Sequence, residues 1–254
     1  MDLLFDPSKS QRPRRVCIFG GPGVGKSSWM RSAPGLIETP TEDAACTVPS
    51  QAFPVAKSYD QLCQYLKAVR TETHSFQTLG VDSLTMVEKL IRAELCESDG
   101  VKSIELVQKG YGKGFTMAAE VFAGFLNGLE MIQLQRNMSI VLIAHARVEK
   151  QDDPGVDSYG KHVMSMHEKI TKATVEWCDE VFFARSVVYT SKEKEGFKTT
   201  TKATSADERV LFTTDKPSHI GKNRLDMPER IPMLKVNGWD EYRKFHPATL
   251  TKAE

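Results

Sequence analysis

The sequence predicts an α/β fold: a mostly parallel sheet flanked by helices, with an antiparallel extension at its C-terminal end. Two observations predict it. Through the first two thirds of the 254 residues, apolar segments of strand length alternate with segments of helical spacing. In the last third, apolar segments at 180–189 and 209–214 flank a charged, threonine-rich stretch at 191–208, which is typical of an antiparallel hairpin. This length suits one such domain or at most two small ones.

The elements begin after a basic arm at residues 1–15, which prolines interrupt. One domain is predicted over 16–244, and 245–254 is predicted to be a flexible tail. Pro34 and Pro40 end the first helix and the second strand, because proline lacks the backbone N–H and restricts the residue before it. In order, the sequence predicts a strand at 16–19, a helix at 26–31, a strand at 36–38, a helix at 59–71, a strand at 78–83, a helix at 85–97, a glycine- and lysine-rich segment at 98–116, a helix at 117–136, a strand at 139–145, a polar segment at 147–161 and a helix that ends near 177.

Composition narrows the class of protein. The formal net charge is +1, so any nucleic-acid binding must come from local basic loops. No apolar run approaches the roughly 20 residues that a membrane span needs, which predicts a cytoplasmic protein without a membrane partner. The five cysteines are scattered and form no C-x-x-C pair, so neither a disulfide framework nor a zinc site is indicated.

The segment Gly20–Ser27 fits the pattern G-x-x-x-x-G-K-[ST] and directly follows the apolar segment 16–19. A strand that leads into a glycine-rich loop and then a helix is the arrangement that this phosphate-binding motif needs. Lys26 is expected to reach the β- and γ-phosphates, and the hydroxyl of Ser27 to bind Mg²⁺. The sequence therefore predicts a nucleoside triphosphate site. Its binding residues are Gly20, Gly21, Pro22, Gly23, Val24, Gly25, Lys26, Ser27 and Ser28.

Asp82 is predicted to complete the magnesium site. It ends the apolar strand at 78–83, and a carboxylate in that position can hold the hydration shell of Mg²⁺ opposite Ser27. The alternative is that Asp82 caps the helix that follows.

Five further residues suit the chemistry of hydrolysis. His145 ends a strongly apolar strand and would lie near the γ-phosphate, which it could sense; the alternative is a half-buried histidine with local hydrogen bonds. Glu38 is the first candidate to orient the attacking water and Glu42 the second, with a surface glutamate as the alternative in each case. Lys222 and Arg224 could stabilise charge on a neighbouring subunit's nucleotide, or form a solvated basic turn.

The chain resembles RecA-like ATPases, and more narrowly the phage-encoded nucleotide-binding proteins that act as RecA-like single-strand annealing proteins. The resemblance covers about residues 14–235. Recombinases usually have glutamine where this chain has His145, and Pro40 stands where the eukaryotic members carry a catalytic glutamate, which would make hydrolysis slow or leave it to Glu38 or Glu42. The segments that carry the resemblance are Gly20–Ser27, Leu79–Ser83, Gly110–Gly114, Ile140–His145 and Lys222–Arg224.

The resemblance implies an ATPase that forms rings or filaments, with ATP bound between subunits and Lys222 and Arg224 reaching across. It implies single-stranded DNA binding by the loops at 98–116 and 146–172, alongside a single-strand DNA-binding protein in a bacterial host's cytoplasm. Cations with aromatic residues between them suit binding without sequence preference. The DNA contacts would come from Lys102, Lys109, Tyr111, Lys113, Arg147, Lys150, Lys161, Lys169 and Lys172, with Phe115 and Tyr159 as further stacking surfaces.

Two other functions are compatible with the phosphate loop. A motor or switch subunit of a helicase or packaging complex would use nucleotide to control a protein partner. A small-molecule kinase would need a lid with arginines over the phosphates, and the segment 146–172 offers only Arg147.

Overall fold

A computed structural model describes residues 12–43, 48–152, 154–195, 198–234 and 236–246. The strands are β1 Arg15–Gly20, β2 Leu36–Pro40, β3 Gln51–Ala52, β4 Thr78–Asp82, β5 Ser139–Gln151, β6 Tyr159–Met164, β7 Glu180–Glu195, β8 Lys198–Phe212 and β9 Arg230–Pro232. The helices are α1 Lys26–Met30, α2 Tyr59–Thr71, α3 Leu84–Ser98, α4 Lys113–Arg136, α5 Glu168–Trp177 and α6 Gly238–Arg243, with a 3₁₀ helix at Ile104–Lys109.

The described strands form one mixed sheet in the order β3-β2-β4-β5-β1-β7-β8-β9. The pairs from β3 to β7 are parallel, and β8 and β9 extend the sheet in antiparallel fashion. This confirms the predicted fold class. Because β1 lies between β5 and β7, the loop that follows β1 lies at the middle of the carboxyl edge, where open α/β sheets bind ligands.

Apolar clusters cover both faces of the sheet. On one face α2, α3 and α5 pack around α4, and on the other α1 packs against α6 through Trp29 and Tyr242. By length and composition α4 could cross a membrane, and it is the one such helix among the described residues. Phe122, Leu126 and Leu129 of α4 are buried in the core, as in the core helix of a globular domain.

Two predicted segments differ from the structure. The prediction of a loop at 146–172, which includes the polar segment 147–161, was wrong, because β5 continues to Gln151 and pairs with β6 as a hairpin, and α5 begins at Glu168. The part of β5 from 145 to 151 is exposed or half-buried, so its sequence lacked the apolar pattern that marks a strand. The segment 98–116 contains the 3₁₀ helix and the start of α4, and the strands β3 and β9 and the helix α6 were not predicted.

The first and last described residues of the chain pack against the domain. Arg15 belongs to β1, the Arg14 side chain is buried, and Phe245 packs against the cluster around Trp29. Residues 1–11 of the predicted arm and 247–254 of the predicted tail lie outside the described residues.

Candidate active site

The phosphate loop runs from the end of β1 at Gly20 to the start of α1 at Lys26. Gly23 and Gly25 have φ values of 71° and 103°, the left-handed region that favours glycine. A β carbon on Gly20 would lie 2.5 Å from the carbonyl oxygen of Ala184 in β7, so the loop begins where two strands approach closely. The loop therefore has the curl that turns successive N–H groups towards an anion.

The other predicted members of the site, Gly21, Pro22, Val24 and Ser28, lie in the loop or the first turn of α1.

The Lys26 ammonium group lies beneath the loop. It donates hydrogen bonds to the carbonyl oxygens of Gly20 at 3.0 Å and Gly21 at 2.8 Å. Burial lowers the pKa of Lys26, and the charges of Asp82 and Glu42 oppose that shift. A bound phosphate would supply negative charge beside this buried cation, so the site is suited to a polyanion.

The magnesium residues lie side by side. The Ser27 hydroxyl donates to Asp82 Oδ2 at 2.5 Å, although the two residues are 55 positions apart. Burial raises the pKa of Asp82, and the hydrogen bond from Ser27 opposes that shift. No group of three or more metal-ligating side chains occurs in the described part of the chain. The pair fits Mg²⁺, which is usually bound through one or two carboxylate or hydroxyl oxygens with water and phosphate oxygens completing the octahedron.

Glu42 and His145 form a pair at the same edge of the sheet. His145 Nε2 lies 2.9 Å from Glu42 Oε1, and both side chains are partly exposed. Burial lowers the pKa of Lys26 and raises the pKa of Asp82; the charge of Glu42 opposes the first shift and adds to the second. The backbone N–H of His145 donates to Thr85 Oγ1 at 3.1 Å, so the histidine is fixed to α3. Sequence reasoning missed Thr85, which carries no motif.

Glu38 has a different environment. Its buried carboxylate accepts hydrogen bonds from Arg31 Nε at 2.8 Å, from the Arg31 Nη2 group at 3.1 Å and from the Ser50 hydroxyl at 2.9 Å. The Arg31 guanidinium thus contacts both oxygens of this carboxylate, the bidentate geometry of a strong ion pair. Glu38 is therefore held in a buried ion pair, whereas Glu42 is partly exposed and contacts His145.

The family of the chain is shown by comparison with known proteins. Residues 12–225 match the model of the AAA domain family. The chain belongs to the AAA domain family. A P-loop ATPase domain of this kind binds nucleotide, which agrees with the geometry of Gly20–Ser27. No curated protein matches the chain.

In this AAA domain, Lys222 and Arg224 lie at the other end of the sheet from the phosphate loop. Lys222 pairs with Val181 at the start of β7, whereas the loop begins beside the later residue Ala184. The Lys222 ammonium donates to the carbonyl oxygens of residues 175, 176 and 178 at 2.7, 3.0 and 2.6 Å, which caps the end of α5. Arg224 donates to Asp179 at 3.3 Å. Neither side chain reaches the nucleotide site of its own subunit.

The predicted DNA-binding residues divide into two groups. In the segment 98–116, Lys102, Lys109 and Lys113 are exposed and form no ion pair with any described residue. Tyr111 is 97% exposed. In the segment 146–172 the cations have partners: Arg147 with Glu149, Lys150 with Asp152, Lys161 with Asp215, Lys169 with the Thr116 hydroxyl and Lys172 with Glu176.

Proposed function

We propose that this AAA-domain protein hydrolyses ATP with Mg²⁺ and binds single-stranded DNA in a nucleotide-dependent manner, as an annealing protein of phage recombination. It works as a homo-oligomer, a ring or filament, in the cytoplasm of the bacterial host, beside a single-strand DNA-binding protein. The observation that carries the DNA part is the exposed Tyr111 between the unpaired Lys109 and Lys113. An aromatic ring with flanking cations offers stacking to a base and charge to phosphates.

The backbone around Tyr111 supports a binding role. All five residues from 108 to 112 have positive φ, and three of them, Gln108 at 53°, Lys109 at 66° and Tyr111 at 58°, are not glycine. Non-glycine residues in this region are uncommon, and strained backbone tends to persist at ligand-binding sites. The loop ends in α4, where the ring of Phe115 stacks on His167. The left-handed backbone of 108–112 and the exposed ring of Tyr111 occur together, as expected of a loop that contacts a ligand.

Helix α3 connects this loop to the nucleotide site. Its first turn accepts the hydrogen bond from His145 through Thr85, and two turns later the Arg92 guanidinium lies 5.0 Å from the ring of Phe115. A change in the Glu42–His145 pair on loss of the γ-phosphate would therefore reach the residues that anchor the DNA loop. This is the physical basis of the proposed nucleotide dependence.

The two proposed finger residues are not equally available to a neighbouring subunit. The Arg224 side chain is 50% exposed and has one carboxylate partner, Asp179. Lys222 would have to give up three carbonyl contacts. We therefore assign the contact across the subunit interface to Arg224.

Replacing Tyr111 by alanine is expected to weaken binding of a labelled oligothymidylate about tenfold, because stacking on one base is lost. Lys109→Ala with Lys113→Ala is expected to reduce the slope of log K against log salt by about one to two units, since two phosphate contacts are lost. Fluorescence anisotropy with Mg²⁺ and a non-hydrolysable ATP analogue measures both effects. Lys57→Ala with Lys67→Ala, which changes two exposed lysines outside the predicted DNA-binding residues, is the matched control. An equal loss in the control, or binding that none of the three changes at 109, 111 and 113 weakens, would discard this surface.

Replacing Glu42 by glutamine is expected to lower kcat for ATP hydrolysis by roughly 100-fold with little change in KM, because the base that orients water is lost while nucleotide contacts remain. Asp43→Asn, an exposed change at the next position, is the control and should leave kcat unchanged. A steady-state phosphate-release assay gives both constants. Full activity in Glu42→Gln would remove Glu42 from the mechanism.

A further inference from the structure

Arg209 of β8 contacts the phosphate loop from 185 positions away in the sequence. Its Nη1 group donates to the carbonyl oxygen of Val24 at 3.2 Å. A β carbon on Gly25 would lie 2.9 Å from the same nitrogen. The guanidinium therefore rests against the backbone of two consecutive residues of the loop, and Gly25 provides the space for it.

The rest of this guanidinium has no protein partner within the described residues. An arginine side chain offers five N–H donors, and the Arg209 side chain uses one of them, on Val24. Arg209 forms no ion pair with a described carboxylate, and its side chain is half-buried. A second positive charge, besides Lys26, is thus held next to the loop that receives the triphosphate, where it is only partly screened by water.

Arg209 also marks the joint of the long β7–β8 hairpin. Residues 183–186 pair with 209–212 inside the sheet, and residues 188–195 pair with 198–205 beyond it. Between the two parts the register shifts, so that residue 187 lies opposite 206–208 as a bulge. We call the part beyond the bulge, 188–195 with 198–205, the arm. It extends on the order of 25 Å from the bulge, at the rise of an antiparallel strand.

We propose that Arg209 is a positioning residue that holds the phosphate loop for nucleotide binding and links the loop to the arm. The hydrogen bond to Val24 fixes the curl of the loop, and the positive charge favours the triphosphate. Because the same residue lies beside the bulge, a bound nucleotide that tightens this contact restrains the base of the arm. By thermodynamic reciprocity, a partner that fixes the arm strengthens nucleotide binding to the same extent. The inference rests on the nucleotide site and not on the proposed DNA surface.

The first test measures nucleotide affinity. Arg209→Ala is expected to raise the Kd of a fluorescent ATP analogue with Mg²⁺ about tenfold at low salt, the loss of one charge-assisted contact, and by less at high salt. Arg209→Lys keeps the charge and should recover part of the loss. Arg230→Ala in β9, which also removes an exposed cation near this edge of the sheet, should bind as the parent protein does. Unchanged affinity in both Arg209 variants overturns the positioning role.

The second test measures amide hydrogen exchange in the arm, over residues 188–195 and 198–205. The non-hydrolysable analogue is expected to slow exchange there in the parent protein and in Arg230→Ala, and not in Arg209→Ala. If nucleotide does not change exchange in the parent protein, or slows it equally in Arg209→Ala, the proposed link between the phosphate loop and the arm is overturned. Lys26→Ala tests the nucleotide site itself. If this variant binds the analogue normally, the nucleotide site is misassigned. If only the Arg209 variants bind normally, the site stands and the role of Arg209 is overturned. Arg209→Lys carries the test if the alanine variant does not fold.

Discussion

Replacing Asp82 by asparagine is expected to reduce ATP hydrolysis by about 10³-fold or more and, at the same time, to stabilise the protein without nucleotide. The loss of activity follows because the carboxylate that holds the metal opposite Ser27 is gone, and a metal ion supplies several kcal/mol of charge stabilisation. The gain in stability follows because Asp82 is buried and its pKa is raised, mainly by desolvation. An amide keeps the shape and an acceptor for the Ser27 hydroxyl without a buried charge.

The sign of the pH dependence gives this prediction a second readout. A carboxyl group whose pKa is higher in the folded than in the unfolded protein binds more protons when folded. Its contribution to stability is therefore greatest below its ordinary pKa of 3.8 and falls as the pH rises through the raised value. The difference in free energy of unfolding between Asp82→Asn and the parent protein should grow over that pH window and then level off.

Urea unfolding without nucleotide, repeated across pH, measures the stability term, and phosphate release measures activity. Addition of ATP with Mg²⁺ should raise the melting temperature of the parent protein far more than that of the variant, by mass action. Asp240→Asn changes a mostly exposed carboxylate in α6 and should alter neither quantity. A variant that is destabilised and still hydrolyses ATP would contradict both the buried-charge argument and the metal assignment.

How far the sequence predicts this molecule depends on whether a feature is local. Helix α2 has the predicted bounds of 59–71 because its apolar spacing and its Ser58 cap are local signals. The phosphate loop is eight consecutive residues, and its partner Asp82 could be placed because parallel strands end at one edge. The cap of α5 by Lys222 could not be predicted, because it depends on tertiary contacts with the end of that helix.

The same distinction explains the features that the sequence did not reveal. The contact of Glu42 with His145 joins residues 103 positions apart, and either glutamate of the second strand region suits the motif. Only the structure separates them, since Glu38 is held by Arg31. Arg209 lies in a threonine-rich, charged hairpin whose composition gives no reason to single out one cation. The pairing of Arg209 with Ser186, at the end of the sheet part of this hairpin, brings the residue to Val24.

A buried ionic cluster supports the amino end of the sheet, away from the nucleotide. Glu180, the first residue of β7, is fully buried and accepts hydrogen bonds from the Arg14 guanidinium and from the Tyr242 hydroxyl, the latter at 2.8 Å. Burial raises the pKa of Glu180, and the contacts with Arg14 and Tyr242 oppose that shift. The cluster joins the segment before β1 to α6, so it holds both ends of the described chain to the sheet.

Replacing Glu180 by alanine is expected to lower the free energy of unfolding by about 3–5 kcal/mol, because the buried Arg14 loses its charge partner. Adding Arg14→Met to that variant removes the unpaired buried charge, so the double variant should recover a large part of the lost free energy of unfolding. Urea unfolding at neutral pH gives all three values, and Glu241→Ala, which breaks an exposed pair with Lys244, should cost at most about 1 kcal/mol. If the double variant were no more stable than Glu180→Ala alone, the cost would come from lost packing and not from the unpaired charge of Arg14. Recovery would instead show that the two ends of the domain are held by one coupled charge cluster, remote from the residues that bind ATP.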